Sequence, residues 1–68
     1  MKIKIEGCTA EVLADCSDYL SLGKEYTVLN TEPDECVYLI ADDFDDEIFC
    51  CKRHCAHLPL GAEWEVVE

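Results

Sequence analysis

Hydrophobic and polar positions alternate with a period of two in several short segments of this chain, as they do in strands with one buried face. The clearest is Lys2–Glu6, where isoleucines alternate with charged residues. A nearly continuous apolar run over Cys36–Ala41 is rich in strand-forming residues and predicts a central strand. The complete set of predicted strands is Lys2–Glu6, Lys24–Asn30, Cys36–Ala41, Glu47–Lys52 and Glu63–Val67.

The segments between these strands carry turn signals. Thr31–Glu35 is predicted to be a turn, because its proline fixes φ and its aspartate favours local side-chain hydrogen bonds. Residues 53–57 predict a short turn or 3₁₀ segment, and Leu58–Gly61 predicts a loop. In the long connection after the first strand, Thr9–Ala14 fits either one helical turn or two, and residues 16–18 fit a loop.

The length and composition set the scale of the fold. A chain of 68 residues forms one domain, 1–68, with a thin core, and its apolar half is sufficient for compact folding. Five short strands with a long first loop predict an all-β fold. We expect a small barrel, which removes the open sheet edges that would otherwise promote aggregation.

Two motifs carry a resemblance to known proteins. The run YLSLGKEYTV at 19–28 and the strand VYLIADD at 37–43 resemble a group of small, mostly uncharacterised phage and prophage proteins with an SH3-like barrel. The resemblance implies that fold and a phage or prophage origin, and it implies no activity. The chain departs from the pattern by placing Phe44 and further acids where Asp-Gly turn residues are expected, and by its cysteines and histidines at 50–57.

The charge is strongly negative. Sixteen Asp and Glu against five Lys and Arg give a formal net charge of −11. Such a surface repels nucleic acid and anionic lipid, so we expect neither direct nucleic-acid binding nor membrane binding. It attracts basic proteins, including those that handle nucleic acid. Alternatively, the acids are simply solvated and keep a cysteine-rich protein soluble.

The densest acidic segment is the predicted partner-binding site. Acids on a hairpin end can dock on a basic surface or imitate a row of phosphates. Phe44 lies among them, and its ring is either folded back onto the core or presented to a partner as an anchor. Replacing it with alanine separates the two interpretations, since loss of stability with intact binding favours the core role. The site consists of Asp42, Asp43, Phe44, Asp45, Asp46 and Glu47.

A second cluster consists of cysteines and histidines between Cys50 and His57. Thiolates and imidazoles are the ligands that Zn²⁺ prefers, so a structural zinc site is the alternative function. Cys50 and Cys51 point to opposite faces of a strand, which allows only one of them to join. The other interpretation is that the cysteines are small buried apolar groups. Native mass spectrometry with added zinc decides, since an apo mass alone contradicts the site. Its ligands would be Cys51, His54, Cys55 and His57.

The remaining motifs argue against catalysis and secretion. There is no C-x-x-C, G-x-S-x-G, H-E-x-x-H or glycine-rich phosphate loop, so we expect no enzyme. The charged start has no apolar leader segment, which predicts a cytoplasmic protein with reduced cysteines. The sequence therefore predicts a non-enzymatic acidic module, phage- or prophage-encoded, that engages or inhibits a basic host protein. It does not predict an oligomeric state.

Overall fold

A computed structural model describes residues 1–32, 37–52 and 55–67, the side chain of Glu32 excepted. These residues form a mostly β domain with one short helix. The elements are β1 (Lys2–Glu6), α1 (Ala10–Cys16), β2 (Tyr26–Thr27), β3 (Asn30–Glu32), β4 (Val37–Ala41), β5 (Glu47–Cys51) and β6 (Glu63–Val66).

The strands form two antiparallel sheets, with the orders β2-β1-β6 and β3-β4-β5. The apolar run predicted to be a central strand forms β4 over Val37–Ala41, at the centre of its sheet, so that prediction is confirmed for these residues; Cys36 lies outside the described residues. The all-β fold class is also confirmed. The barrel is not closed, because within the described ranges the strands pair only inside their own three-stranded sheet.

One continuous segment links the two sheets. Sequence reasoning predicted a single strand over Lys24–Asn30, but the structure divides it between β2 and β3. The Leu29 amide donates to the Leu39 carbonyl at 2.8 Å, while Asn30 is the residue paired with Leu39. Two consecutive residues therefore face one, which is the arrangement of a β-bulge and bends the strand from one sheet into the other.

The predicted turn Thr31–Glu35 was wrong at its start, since Thr31 and Glu32 belong to β3. The pairing of Thr31 with Tyr38 extends the sheet beyond the bulge and outweighs the local turn preference. The rest of that prediction, 33–35, lies outside the described residues, as do positions 53–54 of the predicted 53–57 turn. Residues 56 and 57 do lie in a turn.

The connection after β1 contains a helix. Thr9 caps α1, because its Oγ1 accepts the Val12 amide at 3.2 Å. The helix runs through Cys16. The loop predicted at 16–18 therefore begins at residue 17, one residue later than predicted. Leu13 is the helix residue that enters the core. Among the described residues no helix is long and apolar enough to cross a membrane.

The core lies between the two sheets and under α1. The rings of Tyr26 and Trp64 pack edge to face, with centroids 5.8 Å apart. Both are buried, as is Tyr38. The most deeply buried large side chains are Ile3, Leu13, Ile40 and Cys50.

Candidate functional site

The acidic segment Asp42–Glu47, called here the hairpin tip, joins β4 to β5. The Asp42 amide donates to the Asp46 carbonyl at 2.8 Å, and the Asp45 amide donates to the Asp42 carbonyl at 3.0 Å. The Asp42 side chain is buried, and its Oδ1 accepts the amides of Phe44 (2.9 Å) and Asp46 (3.0 Å). Asp42 therefore holds the loop in shape from inside.

Asp45 occupies the position that a glycine takes in many such hairpins. Its φ is 65°, in the left-handed region. Aspartate tolerates this region better than most residues, and a type I turn followed by one left-handed residue is a common three-residue hairpin loop. The missing Asp-Gly turn is thus replaced by an aspartate in the same backbone conformation.

Asp43 ties the hairpin tip to the loop before β2. Its carboxylate accepts from Ser21 Oγ at 2.6 Å, Lys24 Nζ at 2.7 Å and the Tyr26 hydroxyl at 2.9 Å. Its amide donates to the Tyr19 carbonyl at 2.9 Å. The Asp43 carboxyl and the Tyr26 hydroxyl both have shifted pKa values. Burial opposes ionisation of Asp43, but hydrogen bonds led by Lys24 and Ser21 lower its pKa below the ordinary value. Burial and Asp43 raise the pKa of Tyr26 to about 12.

The other side chains of the hairpin tip point into solvent. Phe44 is 67% exposed, so its ring is presented outward and is not folded onto the core. Asp45, Asp46 and Glu47 are exposed around it. Of the six predicted partner-binding residues, two are thus engaged in internal hydrogen bonds and four remain available to a partner.

Phe49 is an exposed aromatic residue that the sequence analysis did not single out. It is 61% exposed and lies two residues after Glu47 on β5, hence on the same face. Its partner across the sheet is the half-buried Leu39. The period-two alternation of Glu47–Lys52 carried this signal, because it places Phe49 opposite to the buried Cys50.

The cysteines and histidines of residues 50–57, called here the cysteine turn, divide between the two sides of the sheet. Cys50 is fully buried and Cys51 exposed, so the prediction of opposite faces is confirmed. Cys55 is buried and His57 half-buried, while His54 lies outside the described residues. Among the residues described, no group of three or more His, Cys, Asp or Glu side chains could hold a metal ion. The zinc site stays a prediction.

His57 fastens the cysteine turn to the end of α1. Its Nδ1 is 2.5 Å from the Tyr19 hydroxyl, and the two rings meet edge to face. The buried Ser17 hydroxyl donates to the His57 carbonyl, and the exposed Cys16 thiol does so at 3.7 Å. Since its contacts join two loops, His57 has a structural role here.

The pKa of the Cys55 thiol lies below its ordinary value. The Cys50 thiol lowers the pKa of Cys55 most, against the effect of burial, and the backbone amides of His57 and Cys51 and the Trp64 indole contribute. The pKa of Cys50 is raised by the same contact and by its own burial. Cys55 also lines a cavity of about 440 Å³ with residues 58–63.

No protein-family model, no curated protein and no solved structure matches the chain. The resemblance of residues 19–28 and 37–43 to phage proteins with an SH3-like barrel stays a prediction.

Proposed function

We propose that this chain is a non-catalytic, acidic protein-binding module that engages or inhibits a basic partner protein through its hairpin tip. The observation that carries the proposal is the 67% exposed ring of Phe44 on a loop with extensive hydrogen bonding beneath it. Large aromatic residues surrounded by polar groups are frequent anchors of protein interfaces.

The hydrogen bonds of Asp42 and Asp43 support this role because they order the loop before a partner arrives. Asp42 fixes the turn from within, and Asp43 joins it to Ser21, Lys24 and Tyr26. Ordering a loop on binding opposes association, so a loop that is already ordered favours affinity. A partner with an apolar pocket could take the Phe44 ring without reshaping the tip.

The charge defines the chemistry of the partner. The exposed acids Asp45, Asp46 and Glu47 surround the ring, and the whole chain carries a net charge of −11. A complementary surface is therefore basic around an apolar pocket, and long-range attraction would accelerate encounter. Proteins that handle nucleic acid commonly present such surfaces. The phage or prophage origin and the cytoplasmic setting belong to this proposal and rest on the sequence motifs.

The test is affinity capture from bacterial lysate at low and high salt, with three matched variants. Phe44→Ala removes the ring. D45N/D46N removes two charges at the tip, and D15N/D18N removes two charges from exposed residues elsewhere. The retained protein is then purified, its dissociation constant measured with each variant, and its own activity assayed with and without the module.

We expect one basic protein, released at high salt, whose affinity falls by roughly 30-fold with Phe44→Ala, as for an aromatic hot spot. D45N/D46N should weaken binding several-fold more than D15N/D18N. Equal effects of the two double variants would show that net charge alone acts. Full affinity of Phe44→Ala, with its fold verified by circular dichroism, would contradict the proposed site.

A further inference from the structure

The two sheets differ in the side chains that they turn away from the core. On β1 and β6 of the first sheet these side chains are charged, and Lys4 Nζ lies 3.6 Å from Glu65 Oε2 across the strands. The outward residues of these two strands are Lys2, Lys4, Glu6, Glu63 and Glu65. The outward residues of β4 and β5 in the second sheet are Val37, Leu39, Ala41, Glu47, Phe49 and Cys51. One outer face is therefore charged and the other is largely apolar.

The strand β4 is apolar on both of its faces. A strand with one face in water alternates apolar and polar residues, whereas a strand covered on both faces is apolar throughout. Tyr38 and Ile40 of β4 are buried in the core, and Leu39 between them points to the opposite face. Phe49, which pairs with Leu39, is 61% exposed, so this opposite face is open. The sequence of β4 thus fits a strand with a covering layer on each side, and the described residues supply one of the two layers.

A row of three apolar residues, called here the apolar row, crosses this open face. It consists of Leu29, Leu39 and Phe49. The Leu29 amide donates to the Leu39 carbonyl at 2.8 Å, and Leu39 pairs with Phe49 across the sheet. Leu29 is 53% exposed, so the row reaches solvent at both of its ends. Exposed apolar clusters with polar surroundings are typical of protein interaction sites.

The charges near the apolar row indicate a basic partner rather than a second copy of the chain. Glu47, which belongs to the hairpin tip, lies on the same face as the row. The described lysines lie elsewhere, since they pair with acids or, for Lys52, lie over the ring of the inward Tyr38; the paired acids are Glu25, Glu65 and Asp43. Two copies would each bring a net charge of −11, which opposes a dimer through this face. A partner that covers the row must therefore supply positive charge itself.

The dimensions of the face match one helix. The outer strands of a three-stranded sheet lie roughly 10 Å apart, which is about the diameter of a helix. A five-residue strand is about 17 Å long, the length of roughly 11 helical residues. The face offers side chains rather than free backbone groups, so a helix suits it better than an added strand. One amphipathic helix of about three turns is thus sufficient to cover it.

We propose that the apolar row receives an amphipathic helix of the basic partner, with lysine or arginine residues at the end of the helix beside Glu47. The apolar stripe of the helix packs on the row, and its basic residues pair with Glu47 and the exposed acids of the hairpin tip. This inference rests on the proposed function, because the same partner contacts the hairpin tip. It adds the shape of the partner's binding segment and a second aromatic anchor, Phe49, to the anchor Phe44.

The experiment titrates isotope-labelled protein with a synthetic peptide of about 14 residues, in which leucines form one helical stripe and lysines fill the other positions. Changes in the amide chemical shifts, followed by NMR, locate the site on the wild-type protein without any substitution. One control peptide has the same residues in strictly alternating order, and a second has glutamate in place of lysine. Phe49→Ser removes the aromatic ring of the row, and Val66→Ser removes a 51% exposed apolar side chain from β6 as the matched control.

We expect the helical peptide to shift the amides of the apolar row and of Glu47, with little change in β1 and β6. Phe49→Ser should weaken binding roughly tenfold and Val66→Ser less than about twofold. Both control peptides should bind at least roughly tenfold more weakly than the helical peptide. Shifts concentrated on β1 and β6, or equal losses for the two serine variants, would overturn the proposal. So would a dimer of the protein alone that Phe49→Ser abolishes in native mass spectrometry, because a second copy would then be the occupant.

The protein captured from lysate separates this inference from the proposed function. Its dissociation constant is measured with Phe44→Ala and with Phe49→Ser, each verified to be folded by circular dichroism. Loss of affinity in both variants supports both anchors. Full affinity of Phe49→Ser with a loss in Phe44→Ala would overturn the apolar row and leave the hairpin tip. Full affinity of Phe44→Ala with a loss in Phe49→Ser would support the row and contradict the tip.

Discussion

The hairpin tip and the cysteine turn both divide their side chains between interior and solvent, but they do so by different chemistry. At the tip, the inward carboxylates of Asp42 and Asp43 accept five side-chain hydrogen bonds between them. At the turn, Cys50 and Cys55 are buried as small, weakly polar groups. A carboxylate can be buried in a small fold only where hydrogen-bond donors contact it, whereas a thiol can be buried without such donors.

Because of this contrast, the outward-facing side chains of the two regions differ in what they can contact. Because the internal hydrogen bonds fix the tip, Phe44 and its acidic neighbours form an ordered surface available to a partner. In the cysteine turn, the buried Cys55 lines a cavity of about 440 Å³. The first region presents an aromatic ring and three acids to solvent, whereas the second buries two of its cysteines.

The largest effect is expected where the wall of the Cys55 cavity meets Gly7. Gly7 has a φ of 85°, and a Cβ there would lie 2.7 Å from the Gly61 carbonyl oxygen. Gly7→Ala should lower the free energy of unfolding by about 3 kcal/mol, from the left-handed conformation and from displacement of that backbone. Gly23→Ala, at a φ of 81° with open space around it, should cost only about 1 kcal/mol. Urea denaturation measures both, and equal losses would show that the contact with Gly61 is unimportant.

Removing the inward carboxylate of the tip should have the next largest effect. Asp43→Ala leaves Ser21, Lys24 and Tyr26 without their common acceptor and should cost about 2 kcal/mol of unfolding free energy. Asp46→Ala, which removes an exposed carboxylate, should change it by less than about 0.5 kcal/mol. Similar losses for the two variants would remove the distinction between inward and outward acids.

The same carboxylate predicts a pH dependence. Its pKa is lower in the folded protein than its ordinary value of 3.8, so folding favours the ionised form. The contribution of Asp43 is therefore complete above pH 3.8 and is lost as the pH falls through the lower folded value. Asp43→Asn should show a shallower loss of stability between about pH 4 and pH 2 than the wild-type protein. Parallel acid titrations, followed by tryptophan fluorescence, would contradict this.

Serine substitutions test the burial of thiols in the cysteine turn. Cys50→Ser places a hydroxyl in a fully buried position and should cost about 1–2 kcal/mol of unfolding free energy. Cys51→Ser lies on the exposed face, and we expect a change below about 0.5 kcal/mol. Chemical denaturation under reducing conditions compares the two variants. A larger loss for Cys51→Ser would reverse the assignment of their faces.

The smallest effect is expected at Asp45, whose φ is 65°. Asp45→Gly should stabilise the fold by about 0.5 kcal/mol, because glycine adopts the left-handed conformation without steric cost. Asp46→Gly is the matched control. Asp46 is not among the described residues with a positive φ. The greater conformational entropy of a glycine in the unfolded chain should therefore make that variant less stable by about 0.5 kcal/mol. Thermal unfolding distinguishes the two signs.

Much of the secondary structure could be predicted from local patterns. Alternation located β1 and β6, and the apolar run over 36–41 correctly identified the centre of a sheet. The bulge at Leu29 and Asn30 could not be predicted, because it depends on their common partner Leu39. The open barrel was also beyond local patterns, since closure depends on pairing between strands far apart in the chain.

The candidate sites were predictable as segments but not as surfaces. The amino-acid sequence shows the acidic run and the cysteine–histidine run directly. The alternation of faces along a strand was sufficient to predict that Cys50 and Cys51 point in opposite directions. Nothing local indicated that Asp43 accepts hydrogen bonds from Ser21 and Tyr26. Those contacts join residues more than eight positions apart, and they arise only when the sheets pack.

The sequence by itself determined the size of the domain, its mostly β character, its strong negative charge and the two segments rich in reactive groups. These follow from composition and from a periodicity that each strand carries alone. Tertiary structure decided which acids are internal acceptors, which aromatic ring faces solvent, and which cysteine lines a cavity. The reason is physical: hydrogen bonding and burial depend on distances through space, and only the packed chain sets those distances.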